Sequence, residues 1–173
     1  AETARGIAEF LVSVLQRPDG GFGAAQDSES WIDGRRDEGG FYQRPVSERA
    51  GLEPPAVDGK LITGWNGLAI GALARAGARL SEPAWIDGAA RAAEMVLQVN
   101  RGVDGELVRA SLDGVASAAV ATGADLALLS DGLFALALAS GEASWASVAR
   151  EVLDQALDGG RTGWDADRDL RMA

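Results

Sequence analysis

Two acids, Asp27 and Glu29, stand two positions apart in a glycine-flanked stretch, Gly20-Gly21-Phe22-Gly23-Ala24-Ala25-Gln26-Asp27-Ser28-Glu29. Paired carboxylates serve as acid and base across a glycosidic bond when their separation is roughly 5–10 Å. The bland alternative is a solvated loop in which Asp27 bonds local backbone amides. Trp65 and Asn66 form a second candidate pair at a helix start. An indole face stacks on a sugar ring and an amide bonds its hydroxyls, whereas a packed Trp with a capping Asn would do neither. Asp131 is the third candidate, a carboxylate inside an apolar run, where an isolated charge is costly. Either it projects into a central cavity or it accepts hydrogen bonds from a neighbouring loop, such as amides near Trp65.

The 173 residues include no His and no Cys, with 16 Lys+Arg against 26 Asp+Glu and a net charge of −10. Ser-His-Asp and Cys-His nucleophiles, thiol redox chemistry and the usual zinc sites are therefore excluded. The acidic balance argues against a nucleic-acid partner. Asp165, Asp167 and Asp169 mimic the start of a calcium loop, but Leu170 occupies the position of its turn glycine and no Glu follows. No metal or cofactor is expected. Gly20-Gly21-Phe22-Gly23 lacks the Lys-Ser/Thr of a phosphate loop. Ala118 to Ala139 mimics a membrane span, yet Asp125 and Asp131 interrupt it, and a mid-span Asp costs about 2.5–3.5 kcal/mol. A buried helix without membrane contact, in a cytoplasmic protein, is the expectation. The chain opens on Ala1 inside a helical pattern, which reads as a piece of something longer.

Five helices must position these candidates. Ile7, Phe10, Leu11, Val14 and Leu15 form one stripe, opposite Arg5, Glu9, Ser13 and Gln16. Over 84–99, Ile86, Ala89, Ala93, Val96 and Leu97 face inward against Asp87, Arg91, Glu94 and Gln98. Over 144–157 the stripe is Trp145, Val148, Ala149, Val152, Leu153, Ala156 and Leu157. These are one-faced helices. The helices at 66–80 and 124–139 are apolar nearly all round and should be covered on all sides. Thr122 and Asp125 fit a capping box. Gly67, Gly71, Ala72 and Ala76 would let neighbouring backbones approach closely.

The order outer, inner, outer, inner, outer implies two layers of helical hairpins in one domain over 1–173. Asp-Gly turns follow the one-faced helices at Asp19-Gly20, Asp104-Gly105 and Asp158-Gly159, the last leading to Trp164, which suggests a repeat. A long inter-helix insertion fills 20–62, with Gly21-Phe22 and Phe41-Tyr42 as possible paired strands. Its linker over 44–58 carries Pro45, Pro54 and Pro55. A small hairpin is expected around Asp113-Gly114, from 107–110 and 115–120.

Three segments resemble a known family. The run from Gly20 to Ser30 followed by Glu38-Gly39-Gly40-Phe41-Tyr42, then Lys60-Leu61-Ile62-Thr63-Gly64-Trp65-Asn66-Gly67-Leu68, then the run from Asp125 to Leu133, are similar to the large thioredoxin-domain-containing proteins of the spermatogenesis-associated 20 type. The resemblance implies an all-α fold, a partial (α/α)6 toroid of the six-hairpin glycosidase type with short β-hairpin insertions. It implies a carbohydrate ligand, with a glycosidase- or sugar epimerase-like reaction if the protein is an enzyme, and it adds Tyr42 and Lys60 to Trp65 and Asn66 as substrate-binding candidates. The sequence departs from the family pattern at Pro54-Pro55-Ala56-Val57-Asp58-Gly59-Lys60, where a His is missing and Gly59 replaces a carboxylate, and at Ala124 and Leu126. Those departures favour the alternative of a non-catalytic scaffold. A toroid cut near its middle would also self-associate through exposed helix faces.

Overall fold

A computed structural model describes residues 2–158. The Asp158-Gly159 turn, Trp164 and the Asp165, Asp167 and Asp169 run lie wholly or partly outside the described residues. The elements in chain order are α1 (Glu2–Phe10, extended by a π-helical turn over Leu11–Leu15), β1 (Ala25–Gln26), β2 (Glu29–Ile32), β3 (Arg35–Glu38), α2 (Gly40–Gln43), α3 (Val46–Arg49), β4 (Val57–Asp58), β5 (Leu61–Ile62), α4 (Thr63–Leu80), α5 (Pro83–Val99), β6 (Ala110–Leu112), β7 (Val115–Ala116), α6 (Gly123–Ser140) and α7 (Ala143–Asp158). The protein is mostly helical with small sheets.

Glycines set the central packing. A Cβ on Gly64 would lie 3.0 Å from the Cα of Asp125, one on Gly67 2.5 Å from the Cα of Leu129, and one on Gly71 3.2 Å from the Cα of Gly132. The contacts climb both helices in the same direction, so α4 and α6 run parallel, backbone against backbone. Ile70, Leu73, Ala74, Leu126, Leu129, Leu133 and Leu136 are all but completely buried around this seam. Each buried leucine contributes roughly 1.5–3 kcal/mol through the water its surface no longer orders. Short links at 81–82 and 141–142 return the chain as α5 against α4 and α7 against α6. Across the second link the Ser130 hydroxyl donates to Ala149 O at 2.8 Å.

The one-faced reading holds well for α5, whose Asp87, Arg91, Glu94 and Gln98 are exposed while Ala89, Ala93 and Val96 are buried. It holds for most of α7, where Ala149, Val152 and Ala156 are buried but Leu157 is 70% exposed. The α1 face is rotated from the expected one. Ala8 is buried, Leu11, Val12 and Leu15 pack on the core, and Ile7 and Phe10 are exposed. Ala8, Leu11, Val12 and Leu15 are themselves spaced i, i+3, i+4, i+7, so the helix buries a face turned from the one its largest side chains suggest. Gln16, expected outside, donates through its Nε2 to Gly20 O and Gly88 O, both at 2.8 Å.

The expectation that α4 and α6 are covered on all sides is corrected. Trp65, Leu68, Ala72 and Arg75 on α4 and Ala127, Asp131, Phe134 and Leu138 on α6 are exposed, one strip on each helix. Both sequences are too uniformly apolar for periodicity to reveal which strip lacks a partner. α6 is long and apolar enough to cross a membrane, but half of it is buried against other helices of this chain.

The capping box forms as expected. Asp125 N donates to Thr122 Oγ1 at 3.2 Å, and Thr122 N donates to Asp125 Oδ2 at 2.9 Å. Thr122→Ala should cost about 1 kcal/mol of stability, measured by urea denaturation, because it leaves an orphan amide in the first turn.

The 20–62 insertion is more ordered than its composition suggested. Phe41 and Tyr42 do not pair with Gly21-Phe22, since they lie in the short helix α2 and Phe22 instead bridges Gln16. β2 and β3 form a hairpin around Asp33-Gly34, both at positive φ (52° and 73°). That is the tight-turn geometry Asp-Gly favours. β1 pairs with β4, pinning the insertion back on itself. The hairpin around Asp113-Gly114 exists as β6–β7, and β5 adds to it as a third strand. The repeat has a structural counterpart in its first two turns. Gln16 bridges Phe22 around Asp19-Gly20, and Arg101 bridges Leu107 around Asp104-Gly105.

Candidate functional site

The structure distributes the candidates over separate clefts and the core. One cleft, about 550 Å³, lies between the β2–β3 hairpin and the linker before β4. Asp27, Glu29, Ser30, Trp31, Arg36 and Glu53 line it, with Pro54 and Pro55 along one side. Alternation along β2 buries Ser30 and Ile32 and leaves Trp31 61% exposed. Arg36, opposite Trp31 in the register, engages both carboxylate oxygens of Glu29, its Nε at 2.8 Å from Oε2. The guanidinium is held above its ordinary pKa chiefly by this hydrogen bond. Asp27 Oδ1 accepts from Glu29 N at 3.3 Å, the local turn bonding anticipated for a loop Asp.

Tyr42 stands behind this cleft. Its hydroxyl donates to Asp27 O at 2.6 Å, and Arg49 Nη2 donates to Tyr42 O at 2.8 Å. Burial first, and then the charge of Asp27, push the phenol up from its usual pKa. Tyr42 thus braces the Asp27 loop.

A second cleft, about 260 Å³, lies where α4 begins, lined by Lys60, Ile62, Trp65, Arg109, Ala110, Ser117 and Ala119. Trp65 is 56% exposed, so the packed-core alternative for it does not hold. Lys60 Nζ donates to Asp58 Oδ2 at 2.8 Å, and this bond with that from Lys60 N lowers the Asp58 pKa. A third cleft, about 250 Å³, holds Asp131 beside Arg75, Phe134 and Leu138. Asp131 Oδ2 accepts from Arg75 Nη2 at 2.7 Å, and both side chains are more than half exposed. The carboxylate therefore pairs with a helix neighbour across the α4–α6 seam, not with amides near Trp65.

Asn66 belongs to none of these clefts. It is 2% exposed, its Oδ1 accepts from Phe22 N at 2.8 Å, and its Nδ2 donates to Phe22 O at 3.1 Å and Ile62 O at 3.0 Å. It clamps the chain after the first Asp-Gly turn onto α4, and it is neither a ligand contact nor an N-cap. Asn100 is its unforeseen counterpart at the end of α5. It is fully buried, donating to Leu61 O at 2.9 Å and Thr63 Oγ1 at 2.8 Å, and accepting from Ser111 Oγ at 2.5 Å.

Asp27 and Glu29 are therefore brought together, as are Lys60 and Trp65, while Asp131 and Asn66 lie elsewhere. Sequence reasoning missed Trp31, Arg36, Glu53, Arg109 and Ser117. Asp33-Gly34 between Ser30-Trp31-Ile32 and Arg35-Arg36 was the available signal for the hairpin that presents Trp31 and Arg36. Among the described residues no three Asp or Glu side chains gather closely enough to hold a metal ion. No protein-family model and no curated protein matches this chain.

Proposed function

We propose that the chain is part of an (α/α) toroid whose insertion-bearing end binds neutral carbohydrate without cleaving it. The architectural part is supported by parallel α4 and α6 with α5 and α7 returning behind them, and by the exposed strips on the two central helices. The ligand part is carried by one observation: an exposed indole, Trp31, stands in an open cleft with Asp27, Glu29, Arg36 and Glu53. The C–H face of a sugar ring packs on an indole, and its hydroxyls donate to carboxylates and accept from a guanidinium.

Binding is favoured over hydrolysis because two of the three candidate acids are engaged. Arg36 occupies both oxygens of Glu29, and Arg75 holds Asp131 in a different cleft. Asp27 and Glu53 remain as polar contacts. Titration calorimetry of the 173-residue chain with a panel of neutral oligosaccharides should show saturable binding that Trp31→Ala weakens about tenfold or more, the scale of a lost central aromatic contact. No binding across the panel, or unchanged binding by the variant, would refute the reading. Release of reducing sugar would refute the non-catalytic part and make Asp27 and Glu53 the pair to substitute.

The exposed strip with Trp65, Leu68, Phe134 and Leu138 favours a second reading, a scaffold that self-associates through this face. It expects concentration-dependent mass in light scattering together with silence toward sugars.

A further inference from the structure

We infer that the cleft at the start of α4 is a subsite for a ring-shaped ligand bearing an anion, an acidic sugar in which a carboxylate or phosphate is carried on a saturated ring. The inference stands on residues separate from the Trp31 cleft and does not require that cleft to bind anything. In a chain of net charge −10, two of its 16 cationic side chains, Lys60 and Arg109, line this one small cleft. Arg109 is exposed, and among the described residues its side chain makes no hydrogen bond or ion pair. Its backbone is fixed, with Arg109 N donating to Ala119 O at 2.7 Å and Arg109 O accepting from Thr63 N at 3.0 Å. A guanidinium on an anchored backbone just before β6, unpaired among the described residues, offers a fork of donors that matches a carboxylate or phosphate.

Two further features point the same way. α4 starts at this cleft with no side-chain cap, and the positive end of its dipole is shared with the buried Asp125 carboxylate beside Gly64. Trp65, in the first turn of that helix, supplies a half-exposed indole on which the apolar face of a ring would stack. Ser117, whose hydroxyl donates to Ala119 O at 3.3 Å, also lines the cleft. Lys60 contributes less than Arg109, because Asp58 already shares its charge. A neutral sugar would leave Arg109 unanswered, and a bare anion would leave Trp65 unused.

The test is calorimetric titration of the 173-residue chain with glucuronate, glucose 6-phosphate, glucose and inorganic phosphate. Saturable binding of at least one acidic sugar is expected, tighter than that of glucose and retained in Trp31→Ala. Arg109→Gln should weaken that binding about tenfold or more, the effect of losing a charged hydrogen bond. Trp65→Ala should weaken acidic-sugar binding several-fold while leaving inorganic phosphate unchanged. Raising salt from 50 to 500 mM should weaken binding to the unmutated protein, a readout that stands even if a variant fails to fold. Failure of both acidic sugars to bind, equal binding by Arg109→Gln, or insensitivity to salt overturns the proposal. Phosphate binding as tightly as glucose 6-phosphate would overturn its ring component. Neutral oligosaccharides probe the Trp31 cleft, so failure there leaves this readout intact.

Discussion

Replacing Gly67 by alanine is expected to destabilise the protein by about 3 kcal/mol, the upper part of the range for overpacking a tight core. The added methyl would sit 2.5 Å from both the Cα and the N of Leu129 and 2.6 Å from the carbonyl carbon of Leu128. All three are backbone atoms of α6, so no side-chain rotation relieves the clash. α6 must move away, and the shift opens the packing around Ile70, Leu129 and Leu133, which are completely buried. Alanine's better helix propensity returns only about 1 kcal/mol. For a chain of this length the net loss corresponds to a Tm lower by about 6–12 °C, measurable by circular dichroism. Gly6→Ala is the control. Gly6 lies within α1 and nothing stands within 4 Å of a Cβ there, so the same change should raise stability by about 0.5–1 kcal/mol. Equal Tm values for Gly67→Ala and the unmutated chain would show that α4 and α6 are not in backbone contact.

The second large effect is expected at Asn66. Asn66→Ala removes three hydrogen bonds, two of them buried, and strands the N–H and C=O of Phe22, itself 3% exposed. Each buried group left without a partner costs about 1–3 kcal/mol, so a loss of about 3 kcal/mol follows. Asn66→Asp separates the roles of the two amide ends. The carboxylate still accepts from Phe22 N, but its other oxygen faces the carbonyls of Phe22 and Ile62. Burial and those oxygens raise the folded-state pKa of the new acid above its unfolded value. A group raised in this way favours the folded state in its protonated form. Its penalty is therefore absent below the unfolded pKa and grows as pH rises toward the folded one. Relative to the unmutated protein, Asn66→Asp should come closer in stability at pH 4 than at pH 7. A stability gap independent of pH would show that position 66 is open to water.

These effects bear on why the candidate site was only partly legible. Asp27 and Glu29 were found because acids two apart in a glycine-flanked loop are conspicuous, and the structure keeps them in one cleft. Trp31 and Arg36 escaped notice because each matters only once the Asp33-Gly34 turn sets the β2–β3 register and brings them opposite each other. Asn66 was misread for the opposite reason. Its type suits ligand contact, capping and buried clamping equally, and only the return of Phe22 to α4 selects the third. Arg109 and Trp65 lie 44 positions apart, and they meet because β5 pairs with β6.

Local rules therefore reached as far as the interactions they describe. The chain alone determined its helices at 84–99, 124–139 and 144–157, the Thr122–Asp125 capping box, the turn at Asp113-Gly114 and the small residues through which α4 approaches α6. Each depends on side chains within a few residues of one another, where periodicity and turn chemistry act directly. Tertiary structure decided which strips of α4 and α6 stay exposed, how α1 turns toward the core, where Asp131 finds its partner and which polar groups share a cleft. Those outcomes depend on contacts between segments well separated along the chain, where several arrangements satisfy the same pattern. Backbone contact between Gly67 and Gly132 leaves no room for a side chain at that point between α4 and α6, and that close approach fixes the arrangement adopted.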